Sequence, residues 1–150
     1  MFNIQDIVIH KKLGLCTIID KAEINNTEYY VLNKNEDTVR VMVPIDNASN
    51  FIRRPMTIKE IQKLKAKYKE RNIEIILDYK TRIKKYDELL KSGDVYNLII
   101  LLRMIYTHKK EKNNLTQADK DILKQAEKQL FSEIAYVLDI EDSEVKNILF

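Results

Sequence analysis

Residues 79–85, Tyr-Lys-Thr-Arg-Ile-Lys-Lys, interleave an aromatic ring with four cations in under two helical turns. Such a mixture can neutralise phosphates while offering an apolar wedge to a base step. Tyr79 also falls on a stripe with Ile76, Ile83, Tyr86 and Leu90, stepping by three and four, which by helical spacing would place it in a core. The two readings compete for the same side chain. Charge is unevenly distributed around it: residues 53–86 carry 12 Lys/Arg against 4 Asp/Glu, a balance of +8, in a chain whose net charge is only +3. Residues 1–52 carry 5 against 7 (−2) and residues 87–150 carry 9 against 12 (−3). The cations are therefore one segment, serving either as solvated helix faces or as a phosphate-binding surface.

Other chemistry finds little material. The only glycines, Gly14 and Gly93, are far apart, so no glycine-rich phosphate loop can be built. Cys16 stands in an apolar alternation, where a thiol packs as a small hydrophobe, and as the lone cysteine it has no internal disulfide partner. With only His10 and His108 beside it there is no spaced cluster for a metal. His108 follows an apolar run and precedes Lys109 and Lys110, which reads as a surface position at the start of a polar loop over 108–114. The carboxylates Asp139, Glu141, Asp142 and Glu144 suit the start of a short last helix, where they meet the dipole, better than an acid/base pair. No catalytic residue, metal ligand or cofactor is expected.

The elements that must position these residues fall into two halves. Up to about residue 52 the apolar residues alternate: Ile7 and Ile9; Cys16, Ile18 and Ile19; Tyr29-Tyr30-Val31-Leu32; Val39, Val41 and Val43. Turn chemistry separates them at Lys11–Gly14, Asn25-Asn26-Thr27 and Asn33–Asp37, predicting four or five short antiparallel strands that close as a small barrel. From Thr57 the period becomes helical, with Thr57 and Glu60 spaced as a capping box and Ile58, Ile61, Leu64 and Tyr68 following. Gly93 and Asp94 end one helix and cap the next, whose sequence from Val95 to Tyr106 is apolar nearly all round and so calls for neighbours on every side. Leu98, Ile99, Leu101, Leu102 and Ile105 are the expected core. Thr116 caps a long amphipathic helix marked by Leu123, Ala126, Leu130, Ile134 and Val137. The reading is α+β in two domains, 1–55 an antiparallel β-barrel and 56–150 a helical bundle. Hydrophobic residues make up 45% of the chain, enough for a real core, but no run reaches the length of a membrane span, and the N-terminus lacks a signal-peptide pattern.

Read end to end, the sequence resembles the CarD/CdnL family of bacterial RNA-polymerase-binding transcription regulators. The resemblance is carried by Met1-Phe2-Asn3-Ile4-Gln5-Asp6, Glu28–Leu32, Val41–Ala48, Arg53-Arg54-Pro55, Leu89–Tyr96, Leu115-Thr116 and Glu133–Ile140, in that order and spacing. It implies a Tudor-like or SH3-like barrel that docks on the polymerase β subunit, and a helical domain that touches promoter DNA at the upstream edge of the melting bubble. The family's wedge is a tryptophan about fourteen residues before the glycine of the Ser-Gly-Asp turn, which here falls on Tyr79. Family basic positions fall on Arg82, Lys84 and Lys120. The chain departs from the family in having no tryptophan, in lacking a Tyr-Pro pair in the first barrel turn and in placing Thr81 at an often basic position.

These residues give a bipartite expectation. A barrel edge near Tyr29–Lys34 or Val39–Val43 binds polymerase by strand pairing, with Tyr30, Leu32, Val41 and Met42 as contacts. Tyr79, taken as a surface wedge, and the phosphate contacts Arg82, Lys84 and Lys120 then bind DNA at high local concentration. A wedge contributing about 1 to 2 kcal/mol would change open-complex occupancy roughly ten-fold. The expected setting is the cytoplasm, on the nucleoid through polymerase, with the free protein a monomer and no membrane partner. Two other functions fit the same sequence, a protein–protein adaptor without DNA binding and a nucleic-acid binder that acts without polymerase.

Overall fold

The computed structural model describes residues 1–34, 38–70 and 72–150, and the chain divides into two units, Met1–Pro55 and Met56–Phe150. The first unit is a five-stranded antiparallel sheet: β1 (Ile7–His10), β2 (Gly14–Ile24), β3 (Thr27–Lys34), β4 (Arg40–Pro44) and β5 (Ile52–Arg53), in the order β4-β3-β2-β1-β5. Strand alternation places Val8, Cys16, Ile18, Tyr30, Leu32, Val43 and Ile52 on one inner face, where they form the core of this unit. Among the described residues the sheet does not close into the expected barrel: β4 and β5 are its two edges and do not pair with each other. A bulge between Ile18 and Asp20 shifts the register of the long β2, so Ile18 faces Leu32 and Lys21 faces Tyr30. The Lys21 ammonium consequently lies 5.7 Å from the Tyr30 ring centre.

The β2–β3 connection is a two-residue turn in which Asn25 and Asn26 both take the left-handed region (φ 51° and 63°), the geometry whose twist matches the flanking strands. Between β1 and β2, Gly14 at φ 79° permits the reversal. His10 fixes this turn, its Nδ1 accepting the Lys12 and Leu13 amides at 3.1 and 3.3 Å. The turn at Asn33–Asp37 lies in part outside the described residues.

The second unit holds α1 (Ile58–Glu70), α2 (Tyr79–Lys91), α3 (Val95–Lys112), α4 (Gln117–Leu138) and α5 (Asp142–Leu149). Caps account for their boundaries: Thr57 accepts the Glu60 amide, Asp94 those of Tyr96 and Asn97, and Thr116 with Asp119 forms a reciprocal capping box. Gly93 takes φ 69° between α2 and α3. As its apolar circumference requires, α3 packs against α1, α2 and α4, burying Leu98, Ile99, Leu101, Leu102 and Ile105. This helix continues to Lys112, through residues that read as a polar loop. His108 is therefore on the face of Leu101, Met104 and Ile105 and is buried, not at the surface; neither ring nitrogen has a hydrogen-bond partner among the described residues. Among the described residues no helix is long and apolar enough to cross a membrane.

Candidate functional site

The N-terminus of α2 and the N-terminus of α4 are joined by the guanidinium of Arg82. Its Nε and Nη2 donate to the two carboxylate oxygens of Asp119 at 3.0 and 3.1 Å, with both side chains buried. Nη1 donates to the Leu77 carbonyl at 3.3 Å, and the same guanidinium lies 5.5 Å from the Tyr79 ring centre. Asp119 also accepts from the Thr116 amide and hydroxyl, both at 2.8 Å, so its lone pairs are well used. Burial by itself would raise its carboxyl; the hydrogen bonds from Arg82 and Thr116 and the guanidinium charge outweigh burial and hold it below the usual carboxylate range. This is an internal, bidentate, charge-neutral brace.

Arg82, expected to contact DNA, is thus removed from the surface. Its register explains why: α2 begins at Tyr79, with Asp78 accepting the Thr81 amide at 3.0 Å, and the buried positions are Arg82, Tyr86 and Leu89. Only Ile76 of the expected apolar stripe precedes the helix; Ile83, Tyr86 and Leu90 carry it into the core, and Tyr79, though in phase with them, is the first residue of α2. Tyr79 is instead 49% exposed, and Leu77 beside it is 66% exposed. Lys80, Lys84, Lys85 and Lys120 are also exposed. Lys120 follows Asp119 directly, so the brace ties its helix end to that of Tyr79. The two apolar side chains and these lysines form the candidate contact surface. Nothing in the sequence pattern singled out Leu77; its exposure follows from the non-helical approach to Asp78.

In the sheet unit, the four expected partner contacts divide. Tyr30 and Leu32 are inner-face residues, 1% and 0% exposed, and Phe2 donates its amide to the Tyr30 hydroxyl at 3.1 Å. They belong to the core because they alternate onto the inner face of the sheet, and β3 itself is paired with β2 on one side and β4 on the other. Side-chain contact with a partner is therefore assigned away from them. Met42, on the opposite face and opposite Val31, is 40% exposed, and Val41 is partly buried against the core. The free side of β4 has no strand partner among the described residues, which leaves backbone groups available for pairing. Cys16 is fully enclosed, and burial pushes its thiol up to about 11, unsuited to nucleophilic attack at neutral pH.

Residues 59–150 match the model of the CarD C-terminal domain, more than half of the chain. The chain belongs to the CarD family. Residues 2–56 match the CarD-like/TRCF RID domain, so the sheet unit of this CarD-family protein is a module of the RNA-polymerase-interacting type and ties the protein to transcription. A search of curated proteins finds no match to the sequence. The family consists of interaction and regulatory domains.

Proposed function

We propose that this CarD-family protein docks on the RNA polymerase β subunit through β4 and sets Tyr79, with Leu77, against promoter DNA at the upstream edge of the bubble, modulating open-complex stability. The observation that carries the reading is the exposed Tyr79 ring backed by a buried guanidinium that is itself fixed by Asp119. A wedge must keep its place while it parts a base step, and a ring seated on a braced cation loses less entropy on binding than a free one. Lys80, Lys84 and Lys120 supply phosphate contacts that orient the domain without reading sequence. Arg82 adds no net charge to the surface, because Asp119 cancels it within the fold. The strand edge supplies the anchor: β4 offers main-chain donors and acceptors, and Met42 an exposed apolar side chain, for strand addition. Anchoring converts a weak DNA contact into an intramolecular one, so location on polymerase provides the specificity. The protein then acts in the cytoplasm, on the nucleoid through polymerase, as a monomer when free.

The test is the lifetime of competitor-challenged open complexes on purified polymerase. Tyr79→Ala is expected to shorten it several-fold while leaving the stability of the free protein within about 0.5 kcal/mol, as surface changes do. Tyr79→Trp, with a larger apolar wedge, is expected to lengthen it. An unchanged lifetime in both variants would remove Tyr79 from the DNA contact.

A further inference from the structure

On the helical unit, away from Tyr79, a cavity of about 290 Å³ opens between the end of α1, the residues that follow it and the first half of α3. Ile73, Ile99 and Ile100 give it apolar walls, and Tyr68 and Tyr96 add two rings. Among the described residues its charged lining residues are Lys67 and Arg103, both cationic. Each cation sits over a ring of the other helix: the Lys67 ammonium is 4.5 Å from the Tyr96 centre, and the Arg103 guanidinium is 5.2 Å from that of Tyr68. The two pairs cross from α1 to α3 and back. Nη1 of Arg103 is buried with no hydrogen-bond partner among the described residues. A buried guanidinium nitrogen with unmet donors is costly, and stacking on a ring does not satisfy N–H groups that lie in its plane.

Apolar walls with two cations among the lining residues describe a receptor for a particular ligand chemistry. The volume is at the small end of ligand pockets. A carboxylate matches the fork of a guanidinium, and apolar walls strengthen that contact by lowering the local dielectric. We propose that this cavity binds a small amphipathic carboxylate, its head group on Arg103 and Lys67 and its apolar body against Ile73, Ile99 and Ile100. Occupancy ties α1 to α3 and stabilises the helical unit in proportion to ligand concentration over affinity.

Octanoate and octanol, equal in chain length and different in charge, are suitable probes of the full chain, read by the isoleucine methyl resonances. Octanoate is expected to give saturable shifts concentrated on Ile73, Ile99 and Ile100 and to bind at least about ten-fold more tightly than octanol, the effect of a charge-assisted contact. Arg103→Gln is expected to abolish that preference. Lys67→Gln, at an exposed position where the fold is expected to stay intact, is expected to weaken octanoate and leave octanol unchanged, so the charge test survives if the Arg103 variant fails to fold. Ile100→Phe, which fills the space, is expected to remove binding of both probes with helical content intact. The proposal is overturned by absence of methyl shifts up to about 10 mM octanoate, the weak limit of a specific site. Equal binding of octanol would overturn it too, as would shifts scattered over surface methyls or indifference of octanoate affinity to both charge variants.

Discussion

At Arg82 the guanidinium meets both oxygens of Asp119 inside the fold, and the energetics of such a pair are asymmetric. Taking both charges out of water costs about what their attraction returns, but deleting one leaves the other buried and uncompensated. Arg82→Ala is therefore expected to destabilise the helical unit by about 3 to 5 kcal/mol in urea denaturation, far more than a surface phosphate contact would. Arg82→Met combined with Asp119→Leu should recover most of the loss, leaving about 1 kcal/mol for the broken Thr116 capping box. Acid acts on the same group. Because the folded carboxyl of Asp119 titrates below its unfolded value, its contribution is complete above about pH 4 and is lost as pH falls through the folded value. Asp119→Asn should flatten that acid limb of the stability curve. Tyr79, by contrast, depends on this brace for position and returns little to stability, since half its surface faces solvent.

At the scale of elements, two histidines show how turn and helix geometry decide a side chain's role. His10 closes the β1–β2 turn with an unprotonated Nδ1, which accepts two amides. Burial first, and then the charge of Lys12, lower its pKa. For a histidine held neutral in the fold, stability is complete above the unfolded value of about 6.5 and is lost as pH falls through the depressed folded value. The expected outcome is a His10 ring titration midpoint below 6.5 by NMR, with amide protection at Lys12 and Leu13 lost on the acid side. A midpoint at or above 6.5 would mean that the turn does not need the neutral ring. His108 is the opposite case, a buried ring on α3 with neither nitrogen bonded among the described residues. An apolar residue of similar reach removes that desolvation cost, so His108→Leu is expected to stabilise the protein by about 1 kcal/mol in thermal or urea unfolding. A surface histidine at the end of a helix would show almost no change.

The whole molecule is two units with separate cores, one of strand residues around Tyr30 and Leu32 and one of helix residues around α3. A core contained within each unit allows each to fold alone. In the proposed division of labour, residues 1–55 expressed alone are expected to bind the polymerase β subunit and residues 56–150 alone are not, as measured by pull-down or interferometry on purified polymerase. Binding by the helical piece alone would reverse the assignment. Within the first unit, Met42→Glu on the exposed edge is expected to weaken polymerase binding while leaving the fold intact, since the side chain contributes little to the core.

Sequence by itself determined the switch from strand to helix period, the Asn25-Asn26 turn, the caps at Thr57, Asp94 and Thr116, and the burial of α3. These are local properties: alternation, a polar residue ahead of an apolar run, a residue tolerant of positive φ, and an apolar helix that must find cover. What depends on partners distant in the chain was decided only by the tertiary structure. Arg82 looked like a phosphate contact because its own neighbours are basic, but the residue that captures it, Asp119, is 37 positions away. Tyr30 and Leu32 looked available for pairing because a strand does not reveal whether it is an edge; the order of strands in the sheet made β3 interior. The sheet stayed open because alternation specifies which side is buried and not whether the last strand meets the first. Tyr79 reached the surface although it is in phase with Ile83, Tyr86 and Leu90, because it is the first residue of α2 and helical spacing does not say how far along the helix the core extends. The cavity between α1 and α3 had no sequence signal, since its walls come from residues that only helix packing brings together.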